Sequence, residues 1–236
     1  MSLHITTLIV TYNRPLLLIK CVNANLNQSF QPKSIIIFDN GSNVFDSKVI
    51  LEFLSNSKLP YIDFEKDIAL YFQIKEIEIK FFRKKSNFGP GTAFHDGFKL
   101  AHTNIENDFV WVMDDDALPS KDALKNLLVY KDYDLTNCIV LNEKNKDELS
   151  FPYYDKKTNQ LFTKKSQMLR LAHENKIDGW GHSFNGTLIK REIIDLVGYP
   201  LKELNGWGIE VEYLYRVLEY SCKVATITNS EIFHPK

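Results

Sequence analysis

The stretch FVWVMDDDALPS, residues 109–120, runs five apolar residues directly into three consecutive aspartates. The apolar run is typical of a strand buried on both faces, and Pro119 indicates a turn soon after it. Asp114, Asp115 and Asp116 repel one another, so a protein accommodates them where water screens the charges or a cation neutralises them. Because side chains alternate along a strand, we expect Asp114 and Asp116 to point to one side and Asp115 to the other.

The end of this strand is a candidate metal site. Asp114 and Asp116 offer the hard oxygen ligands that Mg²⁺ and Mn²⁺ prefer, and these ions usually keep coordination positions for phosphate oxygens. The same residues are also compatible with a solvated turn, in which an aspartate or Ser120 caps the following helix. The pattern alone leaves both interpretations open.

Strand and helix patterns alternate through the first half of the chain. Apolar runs typical of strands occupy residues 4–13, 34–42, 77–83 and 108–113. Patterns that indicate helices occupy residues 14–28, 47–56, 91–103 and 120–130. This order predicts an α/β fold with a mostly parallel, doubly wound central sheet and helices on both faces.

The second half of the chain is less regular. Its patterns predict a strand over 138–143, a hairpin over 151–163, a strand followed by a helix over 182–198, a helix over 208–221 and a final strand over 223–234. Residues 57–76 fit no element well and are interpreted as an insertion.

Three polar clusters follow predicted strands: Thr11 to Arg14, Asp39 to Ser42, and Asp114 to Asp116. Ligands of doubly wound sheets bind at the carboxyl ends of the strands, so we expect these clusters to converge on one crevice. Asp39 is placed to accept hydrogen bonds from a ribose or a base, although DNGS is also ordinary turn chemistry.

A further candidate ligand loop precedes the predicted helix at 91–103. Gly89 and Gly91 would allow a ligand to approach the backbone, and a helix N-terminus favours phosphate. A plain turn between strand and helix explains the same residues.

Composition limits the classes of protein. The chain has 236 residues, of which 44% are hydrophobic, and we expect a single domain over 1–236. A net charge of −1 provides no overall basic field for nucleic acid. The three cysteines are odd in number and widely spaced, which favours reduced thiols and a cytoplasmic protein. No apolar run is long enough for a membrane span, and the first residues do not resemble a signal peptide.

The blocks TYNR, FDNGS, SNFGPGTAFHDG, WVMDDDALP, NGTLIKRE and GIEVEYLYR, in this order, resemble the family 2 inverting glycosyltransferases of the GT-A fold. The blocks span nearly the whole chain, and their details are most similar to the galactofuranosyl- and rhamnosyltransferase branch. The resemblance implies a nucleotide-binding half over 1–116 and an acceptor-binding half over 117–236.

The resemblance also implies roles at the donor side. Asp115 would face the donor sugar as a catalytic residue, while Asp114 and Asp116 would carry the metal with His234. The residues that would bind the nucleotide and the rest of the donor are Thr11, Tyr12, Arg14, Asp39, Asn87, Gly89 and Asp114.

The block WGIEVEYLYR corresponds to the acidic helix start of the family. Glu210 falls on the position of the general base and Glu212 on a later acid, whereas Ile209 replaces the first acid. Two glutamates at a helix N-terminus also stabilise the helix dipole without any catalysis. The resemblance places an acceptor-binding set nearby, for whose tryptophans core packing is the alternative: Trp180, Gly181, His182, Asn185, Trp207 and Glu212.

The implied activity is transfer of a sugar from a UDP- or dTDP-linked donor to a glycan or a lipid-linked acceptor in surface polysaccharide biosynthesis, assisted by Mn²⁺ or Mg²⁺. Peripheral contact with the inner face of the membrane is a further expectation, and no nucleic acid partner is expected. Ala93 and Asp96 depart from the branch and leave the donor open. The alternatives are a non-catalytic nucleotide-sugar-binding module, suggested by Ile209, and a sugar-1-phosphate nucleotidyltransferase.

Overall fold

The computed structural model describes residues 3–55, 59, 61–155, 158–204, 206 and 208–235. The helices in this part of the chain are α1 (Pro15–Leu26), α2 (Val44–Leu54), α3 (Pro90–His102), α4 (Ala123–Leu128), α5 (Lys165–Met168), α6 (Arg191–Val197) and α7 (Ile209–Glu219). The strands are β1 (Ile5–Thr11), β2 (Ser34–Asp39), β3 (Ile68–Ile74), β4 (Ile77–Arg83), β5 (Phe109–Asp114), β6 (Leu118–Pro119), β7 (Leu135–Asn142), β8 (Glu148–Asp155), β9 (Gln160–Lys164), β10 (Lys176–Asp178), β11 (Asn185–Lys190) and β12 (Val224–His234).

The central sheet has the strand order β10-β12-β7-β11-β5-β1-β2-β4-β3. Strands β5, β1, β2 and β4 run parallel to one another, as crossover helices require. Strand β11 is antiparallel to both β5 and β7, and β3 is antiparallel to β4. The predicted α/β class is therefore confirmed, with a mixed sheet that has four adjacent parallel strands in the first half of the chain and a second parallel pair, β7 and β12, in the second half.

Helices cover both faces of this sheet. On β5, Trp111 and Met113 pack into the layer that contains α1, α2 and α4, whereas Val110 and Val112 pack into the layer that contains α3, α6 and α7. All four side chains are fully buried. Because β5 is apolar on both faces, it can occupy the middle of the sheet, and its end then delivers the aspartates to the carboxyl edge.

Several local predictions from the sequence differ from the structure. Residues 57–76 contain the edge strand β3, which the interpretation as an insertion missed. The proposal that Ser120 caps the next helix is wrong, because α4 begins at Ala123 after Asp122. Ser120 instead donates its backbone N–H to the carbonyl of Glu231 in β12, so the chain is held extended at that point. The predicted hairpin is confirmed as β8 and β9.

Among the described residues, no helix is both long enough and apolar enough to cross a bilayer.

The loop before α7 rests directly on α3 at Gly91. A Cβ atom added to Gly91 would lie 2.2 Å from the carbonyl oxygen of Leu204, closer than real Cβ contacts. The other obstacles, the carbonyls of Leu201 and Lys202, are also backbone atoms and cannot rotate away. The sequence predicted that Gly91 would let a ligand approach the backbone, whereas in the structure the protein's own chain occupies that space.

We expect Gly91→Ala to lower the free energy of unfolding by ~2 kcal/mol or more, because the added methyl group overpacks a backbone contact. Gly97→Ala in the same helix is the matched control, since its new methyl would meet only the flexible side chain of Leu8, at 3.0 Å. Urea denaturation of both variants measures the difference. Equal effects of the two substitutions would contradict the role assigned to the contact.

Candidate functional site

A cavity of about 330 Å³ opens at the carboxyl edge of the sheet, next to the end of β5. Residues from both halves of the chain line this cavity. Its lining residues are Arg14, Pro90, Phe94, Asp114, Asp116, Phe151, His182, Ser183, Phe184, Asn185, Gly206, Ile209, Glu210 and His234.

The aspartates at this edge share one arginine. Arg14, just before α1, contacts Asp116 Oδ2 and lies 3.4 Å from Asp115 Oδ1. On the other side, His234 Nε2 lies 3.2 Å from Asp116 Oδ1. The ends of β1 and β12 therefore both bring positive or proton-carrying groups to the acidic end of β5.

Burial and charge act differently on the three carboxylates. Burial, followed by repulsion from Asp116 and Asp115, raises the pKa of Asp114 to about 7. Burial also raises the pKa of Asp115 to about 6, although Arg14 opposes it. Burial acts in the same direction on Asp116, but contacts with His234 and Arg14 outweigh it and lower the pKa of Asp116. Contact with Asp116 in turn raises the pKa of His234, despite the burial of the ring.

A divalent ion is the cofactor that this donor set would suit. Carboxylate oxygens are preferred ligands of Mg²⁺ and Mn²⁺, and Asp114, Asp116 and His234 all line the cavity. Asn185 Oδ1 is also buried there and has no hydrogen-bond partner in the described part of the chain. Within that same part, no three His, Cys, Asp or Glu side chains are already arranged around a metal position. The residue types fit a divalent ion, while Arg14 holds Asp116 in an ion pair.

A backbone irregularity positions the floor of the cavity. Phe184 has a φ of 63°, a left-handed conformation that is uncommon for an aromatic residue. A register shift in the β11–β5 pairing follows it, between Asn185 and Thr187. The strain is held by hydrogen bonds: Phe184 N–H donates to Thr187 Oγ1 at 2.7 Å, and its carbonyl accepts from Asp114 N–H at 3.1 Å. As a result Asn185 Nδ2 comes within 3.4 Å of Asp114 Oδ2.

An aromatic cluster ties the helix that carries Glu210 to this floor. Phe184 stacks on Phe94 of α3 at 4.7 Å between ring centroids, and Tyr213 of α7 lies 5.6 Å from Phe184. Glu210 is in the first turn of α7 and lines the cavity, and its Oε2 lies 3.4 Å from Gly208 N. Since α7 is anchored through buried rings, Glu210 is presented by a rigid element.

Sequence reasoning did not single out the wall formed by Phe151. The ring of Phe151, on β8, stacks on His182 at 3.6 Å between centroids, and His234 packs edge-on at 5.1 Å. His182 Nδ1 is buried and has no hydrogen-bond partner among the residues described. Burial, together with the nearby charge of His234, lowers the pKa of His182 to about 4, so the ring is neutral at pH 7. Phe151 carries no chemical signature in the sequence, and only the hairpin prediction pointed to its segment.

Several predicted donor residues lie at the same edge without lining the cavity. Asp115 faces away from it: its Oδ2 accepts a hydrogen bond from Thr11 Oγ1 at 2.7 Å, and the residue is 1% exposed. Asp39 is fully buried and its oxygens accept from Ser42 N–H and Ser47 Oγ, which is the turn role that the sequence left open. Burial raises the pKa of Asp39, and those hydrogen bonds oppose the shift.

The other loop residues lie near this turn. Asn87 Oδ1 accepts from the side chain of Asn40 at 2.9 Å and from Gly89 N–H at 2.8 Å. Tyr12 is 42% exposed, so its ring is open to solvent beside the aspartates. The contact between Asn40 and Asn87 joins the loops after β2 and β4. Asn13 N–H donates to Ser42 Oγ at 2.8 Å, which joins the loop after β1 to the same rim.

The predicted acceptor residues divide into two groups. His182 and Asn185 line the cavity. Trp180 instead packs against Tyr153 at 4.5 Å in a small apolar cluster, which matches the core-packing alternative. Gly181 abuts Asn137, whose side chain would clash with any Cβ there, at 1.8 Å.

Glu212 and Trp207 complete the predicted acceptor set. Glu212 points along α7 and forms an ion pair with Arg216 at 2.8 Å, away from the cavity lining. Arg216 also donates to the carbonyls of Val197 and Tyr199, so this pair fastens α7 to the end of α6. Trp207 lies outside the described residues.

We expect the free energy of unfolding of His182→Phe to fall less than that of the parent as the pH is lowered from 7 to 4. A histidine whose folded pKa is about 4, below its unfolded 6.5, contributes stability that is complete above pH 6.5 and is lost as the pH falls toward 4. The difference corresponds to ~3 kcal/mol at most. Urea denaturation of parent and variant between pH 7 and pH 4 measures it, with His173→Gln as the control because the His173 side chain is 84% exposed. Parallel profiles for the parent and His182→Phe would contradict the prediction.

Comparisons with known proteins agree with this architecture. Residues 6–197 match the family model described as glycosyl transferase family 2. The galactofuranosyltransferase GlfT1 of Mycolicibacterium smegmatis (strain ATCC 700084 / mc(2)155) is 22% identical over 240 residues, which cover 98% of this chain and 70% of that protein.

Two solved structures share the fold. S. aureus TarS 1–349 superposes with a TM-score of 0.64 at 14% identity, over 99% of this chain and 60% of that one. GalNAc-T7 with UDP, GalNAc and Mn²⁺ gives a TM-score of 0.69 at 17% identity, over 99% and 44%. The chain thus spans less than two thirds of the length of either structure. The predicted GT-A fold is confirmed. Since the family model covers most of the chain, this protein belongs to glycosyl transferase family 2 and is a glycosyltransferase.

Proposed function

We propose that this enzyme transfers a sugar, with inversion, from a nucleotide-diphosphate sugar to a hydroxyl of a glycan or lipid-linked acceptor in surface polysaccharide biosynthesis. One observation carries the proposal: a single cavity is lined by Asp114, Asp116, Arg14 and His234 on one side and by Glu210 on the other. Groups suited to a metal-bound diphosphate thus share a cavity with a carboxylate suited to proton removal.

A UDP-linked donor is the form best supported, with a dTDP-linked donor as the alternative. TarS 1–349 has been solved in complex with UDP-GlcNAc, at a TM-score of 0.65 and 14% identity over 99% of this chain and 59% of that one, and GalNAc-T7 with UDP. The rim formed by the loops after β1, β2 and β4 lies where such folds bind nucleotides. In our proposal the exposed ring of Tyr12 contacts the base, and Arg14, half exposed, faces the diphosphate.

Asp114, Asp116 and His234 would hold a Mn²⁺ or Mg²⁺ ion. When bound, such an ion stabilises the negative charge that develops on a departing diphosphate. Among the protein's own groups, Arg14 supplies positive charge on the same side, and Asn185 orients the Asp114 carboxylate through its side-chain amide.

The proposed reaction is a single displacement. The acceptor oxygen forms a bond to the anomeric carbon while the bond from that carbon to the phosphate oxygen breaks, and the diphosphate leaves with the electron pair. The acceptor proton passes to the carboxylate of Glu210. A base in this role typically contributes ~10²–10⁴-fold to the rate. Asp115 has no direct part in this scheme, because it is buried against Thr11 and keeps the end of β5 in place.

The isoleucine at position 209, where the family has an acid, suggested a non-catalytic binding module. Its surroundings weaken that alternative. Ile209 is 2% exposed and packs in the layer that holds Phe94 and Tyr213. An acid there would be largely buried among apolar groups, so its loss leaves Glu210 as the accessible carboxylate of this turn. The acceptor would then pass between Glu210 and the wall of Phe151 and His182.

Glu210→Gln should reduce sugar transfer by ~10²–10⁴-fold and leave donor binding unchanged, because the amide keeps the size of the side chain but cannot accept the proton. Glu219→Gln is the matched control: it removes the same charge from the same helix at an exposed position remote from the cavity. Product formation is measured with a panel of nucleotide sugars and simple glycan acceptors, and donor affinity by calorimetry. Transfer retained by Glu210→Gln would remove Glu210 as the base.

Asp116→Asn should abolish the manganese-dependent part of donor binding. A donor at 100 times its dissociation constant stabilises a protein by ~2.7 kcal/mol, which raises Tm by about 5–10 °C for a chain of this size. We expect the parent to show this increase with UDP and Mn²⁺ and to lose it when EDTA is added. The variant should lack it under both conditions, whereas Asp132→Asn, an exposed control, should behave as the parent. An equal increase in Asp116→Asn would argue against a metal at this site.

A further inference from the structure

The strand at one end of the central sheet is an unprotected edge. In the part of the chain that the structure describes, β3 pairs with β4 alone, and the register of that pairing is continuous over seven residues. Its sequence, IALYFQI, contains no charge, proline or glycine. Natural edge strands usually carry a lysine, a proline or a bulge that blocks pairing with another chain. Because β3 has none of these devices, its outer edge is open to pairing with another strand.

The turn between β3 and β4 fixes which backbone groups of β3 face outward. Lys75 and Glu76 form a two-residue connection closed by the pair Ile74 and Ile77. In such a hairpin the closing pair exchanges hydrogen bonds, and hydrogen-bonded pairs then alternate along the ladder. The residues Ala69, Tyr71 and Gln73 therefore direct their N–H and C=O groups away from β4, toward the open edge.

The side chains of these three residues are also accessible. Ala69, Tyr71 and Gln73 are exposed, and Tyr71 is 63% exposed although its ring touches Phe82 edge-on at 6.2 Å. On the opposite face, Leu70 and Phe72 are partly buried against the main core. A strand added to the edge would thus extend the ladder and cover the flank of these two apolar residues.

The sequence around Tyr71 is complementary to itself in the antiparallel direction. A two-fold axis at Tyr71 would place Ala69 opposite Gln73 of a second chain, so that all three outward-facing residues take part in the ladder. The same axis would place Leu70 opposite Phe72. Beyond the apolar positions it would bring Asp67 toward Lys75, since both lie four residues from Tyr71. Cross-strand pairs of opposite charge and of apolar residues stabilise a register.

Asp67 and Lys75, the charged residues that flank β3, are accessible for such contacts. The side chain of Asp67 is 55% exposed even though it contacts Lys84 and accepts a hydrogen bond from Lys85 N–H. Lys75 is exposed at the tip of the turn, and its Nζ lies 3.3 Å from Asn27 Oδ1. One residue further out, Lys66 and Glu76 are related in the same way.

We propose that β3 pairs with β3 of a second copy of this chain, antiparallel and centred on Tyr71, to form a homodimer with a sheet continuous across the two-fold axis. The edge lies at the end of the sheet remote from β12 and α7, so this pairing leaves the cavity open. The inference is independent of the proposed function.

A cysteine pair tests the register directly. In a hydrogen-bonded antiparallel pair the Cα atoms are ~5.5 Å apart, within the range that a disulfide spans. Tyr71→Cys should therefore form an interchain disulfide under mild oxidation, seen as a band of twice the monomer mass on non-reducing gels. Ala69→Cys is the matched control, because it is exposed on the same face but its two copies would lie ~14 Å apart. The native thiols set the background, measured with the parent chain.

The solution mass provides the second measurement. The parent should shift from 27.4 kDa toward twice that mass in sedimentation experiments as the concentration rises from micromolar to sub-millimolar. Lys75→Glu should weaken dimerisation at least several-fold by placing like charges together, whereas Lys20→Glu, an exposed lysine on α1, should not. A parent that remains at the monomer mass at every concentration, or equal crosslinking by the two cysteine variants, would overturn the proposal.

Discussion

The accumulation of negative charge at the end of a buried strand is the constraint on which the rest of the site depends. Strand β5 is apolar on both faces and lies mid-sheet, so Asp114, Asp115 and Asp116 enter a region with little water. Burial makes charged carboxylates costly unless partners are supplied. The raised pKa values of Asp114 and Asp115 report that cost.

The elements around the end of β5 provide the partners that bind these aspartates. Strand β1 ends in Thr11, whose hydroxyl binds Asp115, and Arg14 follows it before α1. Strand β11 contributes Asn185 through its irregular start, and β12 ends in His234. These partners come from three segments. All lie at the carboxyl edge, because β1 and β12 end there and the antiparallel β11 begins there. The chemistry of the site is therefore assembled by the topology of the sheet.

Much of the fold was accessible from the sequence because strand and helix patterns alternate clearly up to α4. The edge strand β3 was missed because it follows a polar stretch; among the described residues its pairing partner is β4. The convergence of Arg14 and the aspartates was predictable, since it follows from where parallel strands end. The position of His234 beside Asp116 came only from the resemblance to a family, because no local pattern links residues that lie so far apart in the chain. Asp39 is bound by Ser42 and Ser47, which is the turn alternative that the sequence had left open. Glu212 pairs with Arg216 one turn along α7.

The charge balance of the cavity gives a physical reason for the proposed divalent ion. The carboxylates of Asp114, Asp116 and Glu210 line it, whereas Arg14 and His234 are the basic groups in its wall. A diphosphate would add further negative charge to a space that is at best neutral, and in a partly buried site the resulting repulsion is weakly screened. Arg14 cannot offset this alone, because its guanidinium is already shared between Asp115 and Asp116. An added cation or protons would relieve this repulsion. Burial, together with repulsion from Asp116 and Asp115, already raises the pKa of Asp114 to about 7.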